Sequence, residues 1–276
     1  MNKQHHRIVI LGIGRSGTTG LFSRIKKSLP SNTISFFEPV NDQGKLTSAV
    51  QSGHPVLVKI LIGQAREFLD SLNNLFNKRI LLIREPRDIW ISALLYSSAI
   101  GLSDLWQGPV NRILGCVSLL EQKEQKPGSI SSLDLYKTLN GEQWFDQFIQ
   151  RAIHQINLLV RLYESGDFFV FKYENITAGE FRALENYLNL SISGDDTVEA
   201  EYQRVVRTKA SGAWKDWLLP DDIVFLKPLL TDAIDALGYD PAWERNPVQK
   251  ILPQHCSEYF RKIINEKRIS NGLNPL

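Results

Sequence analysis

Short apolar runs alternate with amphipathic stretches over the first two-thirds of the chain. Arg7–Leu11, Pro55–Ile62, Arg79–Arg84 and Asp167–Tyr173 are almost continuously apolar, the pattern of strands buried on both faces. Thr33–Phe37 reads as a further strand. Between them, Leu21, Phe22, Ile25 and Leu29 share one helical face, as do Ala65, Phe68, Leu69, Leu72 and Phe76. Strands alternating with helices predict an α/β fold, an open parallel sheet flanked by helices.

The later pattern is mostly helical. Glu142–Tyr163 places Phe145, Phe148, Ile149, Ile153, Ile156 and Val160 at helical spacing. Thr177-Ala-Gly-Glu180 predicts a capping box that opens a helix running through Leu188. Pro220 starts a helix that Gly238 ends. Residues 250–276 form a C-terminal extension whose Tyr259, Phe260, Ile263 and Ile264 suit an amphipathic helix. Gly101–Asn140 reads as irregular, with Gly108-Pro109 and Pro127-Gly128 as turn signals, and a stretch that long predicts a binding loop or lid. Residues 1–276 are expected to form a single domain.

Composition narrows the partners. A hydrophobic content of 43% with 22% charged residues is that of a soluble globular protein, and a net charge of +2 gives no basic field for nucleic acid or an anionic membrane. Cys116 and Cys256 lie far apart without metal-ligand spacing, which predicts free thiols in a reducing compartment and no metal site. The polar start Met1–Arg7 and the lack of a run of about 18 apolar residues predict neither signal peptide nor membrane insertion. The expected location is cytoplasmic. The oligomeric state is not readable.

Chemistry concentrates at two places. After the first strand comes Gly12-Ile-Gly14-Arg15-Ser16-Gly17-Thr18-Thr19-Gly20, a glycine-rich turn opening a helix, which aims backbone N–H groups and a helix dipole at one anion. It is not the G-x-x-x-x-G-K-[ST] loop of nucleotide triphosphatases, because Arg15 stands at the charged position and no Lys follows. The second place is Arg84-Glu-Pro-Arg-Asp-x-x-x-Ser92, where a strand ends in Arg rather than in the metal-binding Asp of such enzymes. The residues alone predict direct, metal-free binding of phosphate or sulfate.

Together the two motifs resemble the sulfotransferases that use 3′-phosphoadenosine 5′-phosphosulfate (PAPS), from about Arg7 to Asp240. The resemblance implies a P-loop-like α/β fold with Gly14, Arg15, Ser16, Gly17, Thr18 and Thr19 around the 5′-phosphosulfate. It implies Arg84 and Ser92 at the 3′-phosphate and Tyr173, in Phe-Lys-Tyr-Glu-Asn, near the adenine. Arg207-x-Lys209-x-x-Gly212-x-Trp214-Lys215 resembles the family's late loop over the nucleotide. The branch with a catalytic His after a Lys-Thr-His strand is a poor match, since Val58-Lys59-Ile-Leu-Ile62 has the Lys without the His. Phe36-Phe-Glu38-Pro39 is instead similar to the branch that uses a Glu as base.

The implied reaction moves a sulfuryl group from PAPS to a hydroxyl of a small-molecule acceptor and leaves adenosine 3′,5′-bisphosphate (PAP). Glu38 would take the proton, Arg15 and Lys59 would stabilise the departing charge, and no metal takes part. Plainer roles stand beside these: a solvated loop for Glu38, a core aromatic for Tyr173 and an ordinary polar loop for Lys209, Gly212 and Lys215. Leu105, Trp106 and Leu114 are expected at the acceptor. A carbohydrate or lipid acceptor, a nucleotide-dependent kinase and a silent donor-binding protein are the alternatives. A bacterial cytoplasmic enzyme is the expected setting.

Overall fold

The computed structural model describes residues 6–39, 43–64, 74–101, 104–195, 197–199 and 210–276. Of the helical face expected at Ala65, Phe68, Leu69, Leu72 and Phe76, all but the buried Phe76 lie outside them, as do the positions Arg207 and Lys209. The chain divides into two compact units, Met1–Arg84 with Gln155–Gln203 and Glu85–His154 with Arg204–Leu276.

The first unit is built on a five-stranded sheet of order β2-β3-β1-β4-β5. The strands are β1 (Arg7–Gly12), β2 (Ile34–Phe37), β3 (Val56–Leu61), β4 (Lys78–Ile83) and β5 (Phe169–Lys172). All neighbouring pairs run parallel. Each strand falls within a residue or two of its sequence expectation, and in β1, β3 and β4 the reason is burial on both faces, which calls for a largely apolar run. On one face Ile8, Ile10, Leu57, Ile80, Leu82 and Phe171 pack with Leu21, Phe22 and Ile25 of helix α1 (Thr18–Ser28), and the same cluster takes in Leu184 and Leu188. Strands of one direction send their carboxyl ends to one edge, where open α/β sheets bind ligands.

Between β2 and β3 lies helix α2 (Gln43–Gln51). The capping-box expectation at Thr177 is corrected. Tyr173–Ala178 is itself a short helix, closed by Gly179 in the left-handed region, and Thr177 Oγ1 donates to the Glu174 carbonyl inside it. Thr177-Ala-Gly is therefore a helix end, and the next helix, Arg182–Leu188, begins after Phe181.

The second unit is helical. Its first helix, α3 (Pro86–Ile100), carries Pro86 in the opening turn, and Trp90, Ile91, Leu94 and Leu95 are buried. The apolar run beginning at Pro86 has the length and composition to cross a bilayer, but most of it is taken up by core packing. The irregular expectation for Gly101–Asn140 is also corrected. A 3₁₀ turn at Leu105–Gln107 leads into α4 (Val110–Gln125) and α5 (Ser132–Asn140), so the expected turn signals mark helix boundaries. Leu105 and Trp106 are buried, and the Trp106 carbonyl accepts from Arg268 of the C-terminal helix Ser257–Ser270 at 2.8 Å; Leu114 is exposed.

Two buried charges hold this unit's loops. Asp222 accepts from the Ser132, Leu133 and Leu219 amides and from Ser132 Oγ, all within 3.0 Å, and so caps two helix starts at once. Lys123 donates to the carbonyls of Pro127, Ile130 and Trp217.

Candidate active site at the strand ends

Every strand of the first unit delivers a candidate residue at or near its carboxyl end. The loop Ile13–Gly17 follows β1, Glu38 follows β2, Lys59 lies near the end of β3, Arg84 follows β4 and Tyr173 follows β5.

The loop is shaped by its backbone. Arg15 has φ 76° and Gly17 has φ 93°, left-handed values that Gly adopts freely and Arg does not. Ser16 is fully buried, its Oγ donating to the Ile13 carbonyl at 2.7 Å and its amide to the same oxygen at 3.2 Å. Gly12 cannot be replaced, since a Cβ there would lie 2.9 Å from the Leu82 carbonyl and 2.8 Å from Ser16 Oγ. A Cβ at Gly14, by contrast, would meet nothing among the described residues. Gly17 is the N-cap of α1 and offers no side chain to the first amides of the helix, while Thr18 and Thr19 are buried in its opening turn. Those amides carry the positive end of the helix dipole, the arrangement that receives phosphate or sulfate.

Arg84 braces this loop. Its Nη1 donates to the Arg15 carbonyl at 3.0 Å, and its guanidinium lies 4.3 Å from the centre of the Tyr173 ring. Tyr173 in turn packs directly against Gly17. Glu38 and Lys59 form an ion pair across the β2–β3 edge, and the Glu38 amide donates to the Lys59 carbonyl at 2.8 Å. Lys59 is 2% exposed, and its ammonium sits 4.1 Å from the centre of the Phe37 ring. Burial lowers the Lys59 pKa, Glu38 acts to raise it, and the positive charge of Arg15 lowers it further. Arg15, Lys59 and Glu38 thus share one electrostatic neighbourhood.

The remaining candidates belong to the second unit. Ser92 is buried on α3. Gly212 has φ 82°, and its carbonyl accepts from the Lys215 amide at 3.1 Å. Trp214 is buried, with the Arg87 guanidinium 4.0 Å from its ring and the Trp243 ring 6.0 Å away.

Sequence reasoning passed over three residues of the second motif. Glu85 caps α3 and holds Arg87 through both carboxylate oxygens, at 2.9 and 2.7 Å. Arg87 also donates to the carbonyls of Asp240 and Ala242. Asp88 accepts from the amides of Gly212 at 2.7 Å and Trp214 at 3.0 Å. Acidic residues on either side of a first-turn proline were the available signal, because a helix start both favours and orients carboxylates.

A five-stranded parallel sheet in the order 2-3-1-4-5, with a glycine-rich loop running from the central strand into a helix, is a P-loop-like α/β fold. Among solved structures, mouse sulfotransferase SULT7A1 complexed with PAP shares it, with TM-score 0.50 and 11% identity over 83% of this chain and 85% of that chain. No family model and no curated protein sequence matches the chain.

Proposed function

We propose that this protein is a sulfotransferase that moves a sulfuryl group from PAPS to a hydroxyl of a small-molecule acceptor and releases PAP. The carrying observation is that Arg15, Lys59 and Arg84 gather with the uncapped start of α1 at one edge of the sheet, with Arg84 following β4. This is a site for a multiply charged anion bound through amides and guanidinium groups. The fold shared with a PAP-complexed sulfotransferase supports the same donor.

In the reaction the acceptor oxygen forms a bond to sulfur as the bond from sulfur to the 5′-phosphate oxygen breaks, and the electron pair stays on the phosphate. The loop amides of Gly14–Thr19, Arg15 and Lys59 stabilise that charge, oriented before the reaction begins. Glu38 receives the hydroxyl proton. Arg84 takes the 3′-phosphate, and Tyr173 backs the loop. Ser92, Gly212, Trp214 and Lys215 are kept as donor contacts on the motif alone.

The experiment is incubation with PAPS and a panel of phenols and alcohols, following PAP and sulfated product together, with and without a chelator. Matched release of both, indifferent to chelator and lost in Arg15→Ala, supports the reading. Consumption of ATP with Mg²⁺ in place of PAPS overturns it.

A further inference from the structure

The first turn of α3 grips one downstream turn from two sides. Asp88 is fully buried and its carboxylate oxygens are divided: Oδ2 accepts from the Gly212 amide at 2.7 Å and Oδ1 from the Trp214 amide at 3.0 Å. The neighbouring Arg87 lies over the Trp214 ring, its guanidinium 4.0 Å from that ring's centre and 4.9 Å from that of Trp243. Arg87 is itself fixed by both oxygens of Glu85 and by the carbonyls of Asp240 and Ala242. One residue therefore holds the backbone at Trp214 and the next holds its ring. A buried carboxylate is costly, and apolar contacts would suffice merely to attach a turn to a helix. What the carboxylate adds is direction, because two charge-assisted bonds to alternate amides fix both the place and the tilt of the turn.

That direction bears on Ser92. Asp88 and Ser92 are one helical turn apart, at i and i+4, and share a face of α3. The Gly212–Trp214 turn, left-handed at Gly212 with φ 82°, is therefore docked on the face of α3 that carries Ser92. Resting on the donor reading above, we propose that Asp88 is a positioning residue for the donor's 3′-phosphate. It sets the 212–214 turn beside Ser92, and the two segments together form the second unit's share of that subsite. The carboxylate itself stays off the phosphate, with its oxygens turned to the two amides.

The test is calorimetric binding of PAP and AMP, which differ only in the 3′-phosphate, to the wild type and to Asp88→Asn. The variant keeps the shape and leaves one acceptor oxygen for two amides. It is expected to lower the preference for PAP over AMP about tenfold, the size of one lost hydrogen bond to a charged group, and to leave AMP affinity unchanged. On charge alone the sign is opposite, since removing a carboxylate strengthens binding of the more highly charged ligand. A purely structural role lowers stability and leaves the PAP-to-AMP ratio at the wild-type value, which overturns the proposal. Gly212→Ala approaches the turn from its other end. A Cβ there meets nothing among the described residues, so the substitution acts through the left-handed backbone. It is expected to give the same selective loss, and a wild-type ratio in this variant also overturns the proposal. Equal binding of PAP and AMP by the wild type removes the donor reading instead.

Discussion

Tyr173 occupies the space that a side chain at Gly17 would need. A Cβ on Gly17 would fall 2.7 Å from Cε2 of the Tyr173 ring and nearer still to Cδ2. The end of β5 is thereby pressed against the turn that opens α1, and the glycine is required twice, by this contact and by its φ of 93°. Gly17→Ala is expected to destabilise the protein by about 1–3 kcal/mol and to weaken PAP binding by more than tenfold. Thermal unfolding and calorimetry on the same sample check both parts.

Arg84 does two things that a lysine cannot do together: it donates to the Arg15 carbonyl and stacks over Tyr173. Arg84→Lys keeps the charge and loses the plane. PAP affinity should fall about tenfold, more than expected for a purely electrostatic contact. Tyr173→Phe should retain the stacking and bind PAP like the wild type, whereas Tyr173→Leu should resemble Arg84→Lys. Equal affinity across all four proteins would show that the stack does not support the loop.

Asp88 anchors Gly212 and Trp214 from a fully buried position. Asp88→Asn preserves the shape and sets an amide nitrogen where an acceptor oxygen is needed. The expected loss is about 2 kcal/mol of stability, measured by denaturant unfolding. A variant as stable as wild type would mean that the 210–214 segment is held by other contacts.

Lys123 gives a pH-dependent signature. Burial lowers its pKa from 10.5 to about 8. Between those values the unfolded chain holds the proton and the folded protein does not, so the free energy of unfolding rises with pH in that window. Below about pH 8 both states are protonated and the contribution is constant, at its least favourable. Lys123→Met removes the titration and leaves three carbonyls without their donor. Relative to that variant the wild type should gain on the order of 3 kcal/mol on crossing the window upward. A difference that stays flat, or reverses, would contradict the assignment.

The sheet and its loop were legible because they follow from strong local rules. Both-face burial leaves β1, β3 and β4 almost continuously apolar, and a turn with left-handed backbone leaves glycines behind. Helix α4 was hidden because its buried stripe, Ile113, Val117 and Leu120, is continued by Lys123, whose burial depends on carbonyls that no sequence window shows. At Thr177-Ala-Gly-Glu180 the residue types suited a helix start, yet Gly179 closes a helix that springs directly from β5. Glu38 and Lys59 stood out singly. Their pairing depends on β2–β3 register, a long-range property with no signature of its own in either segment.

Calorimetric titration with PAP, AMP and ATP, each with and without Mg²⁺, addresses the donor site most directly, using the wild type and Arg84→Ala. The expected result is metal-independent binding of PAP in preference to AMP, with the preference lost in Arg84→Ala. Preference for ATP in the presence of Mg²⁺, or equal binding of AMP and PAP by the wild type, would contradict the sulfotransferase reading.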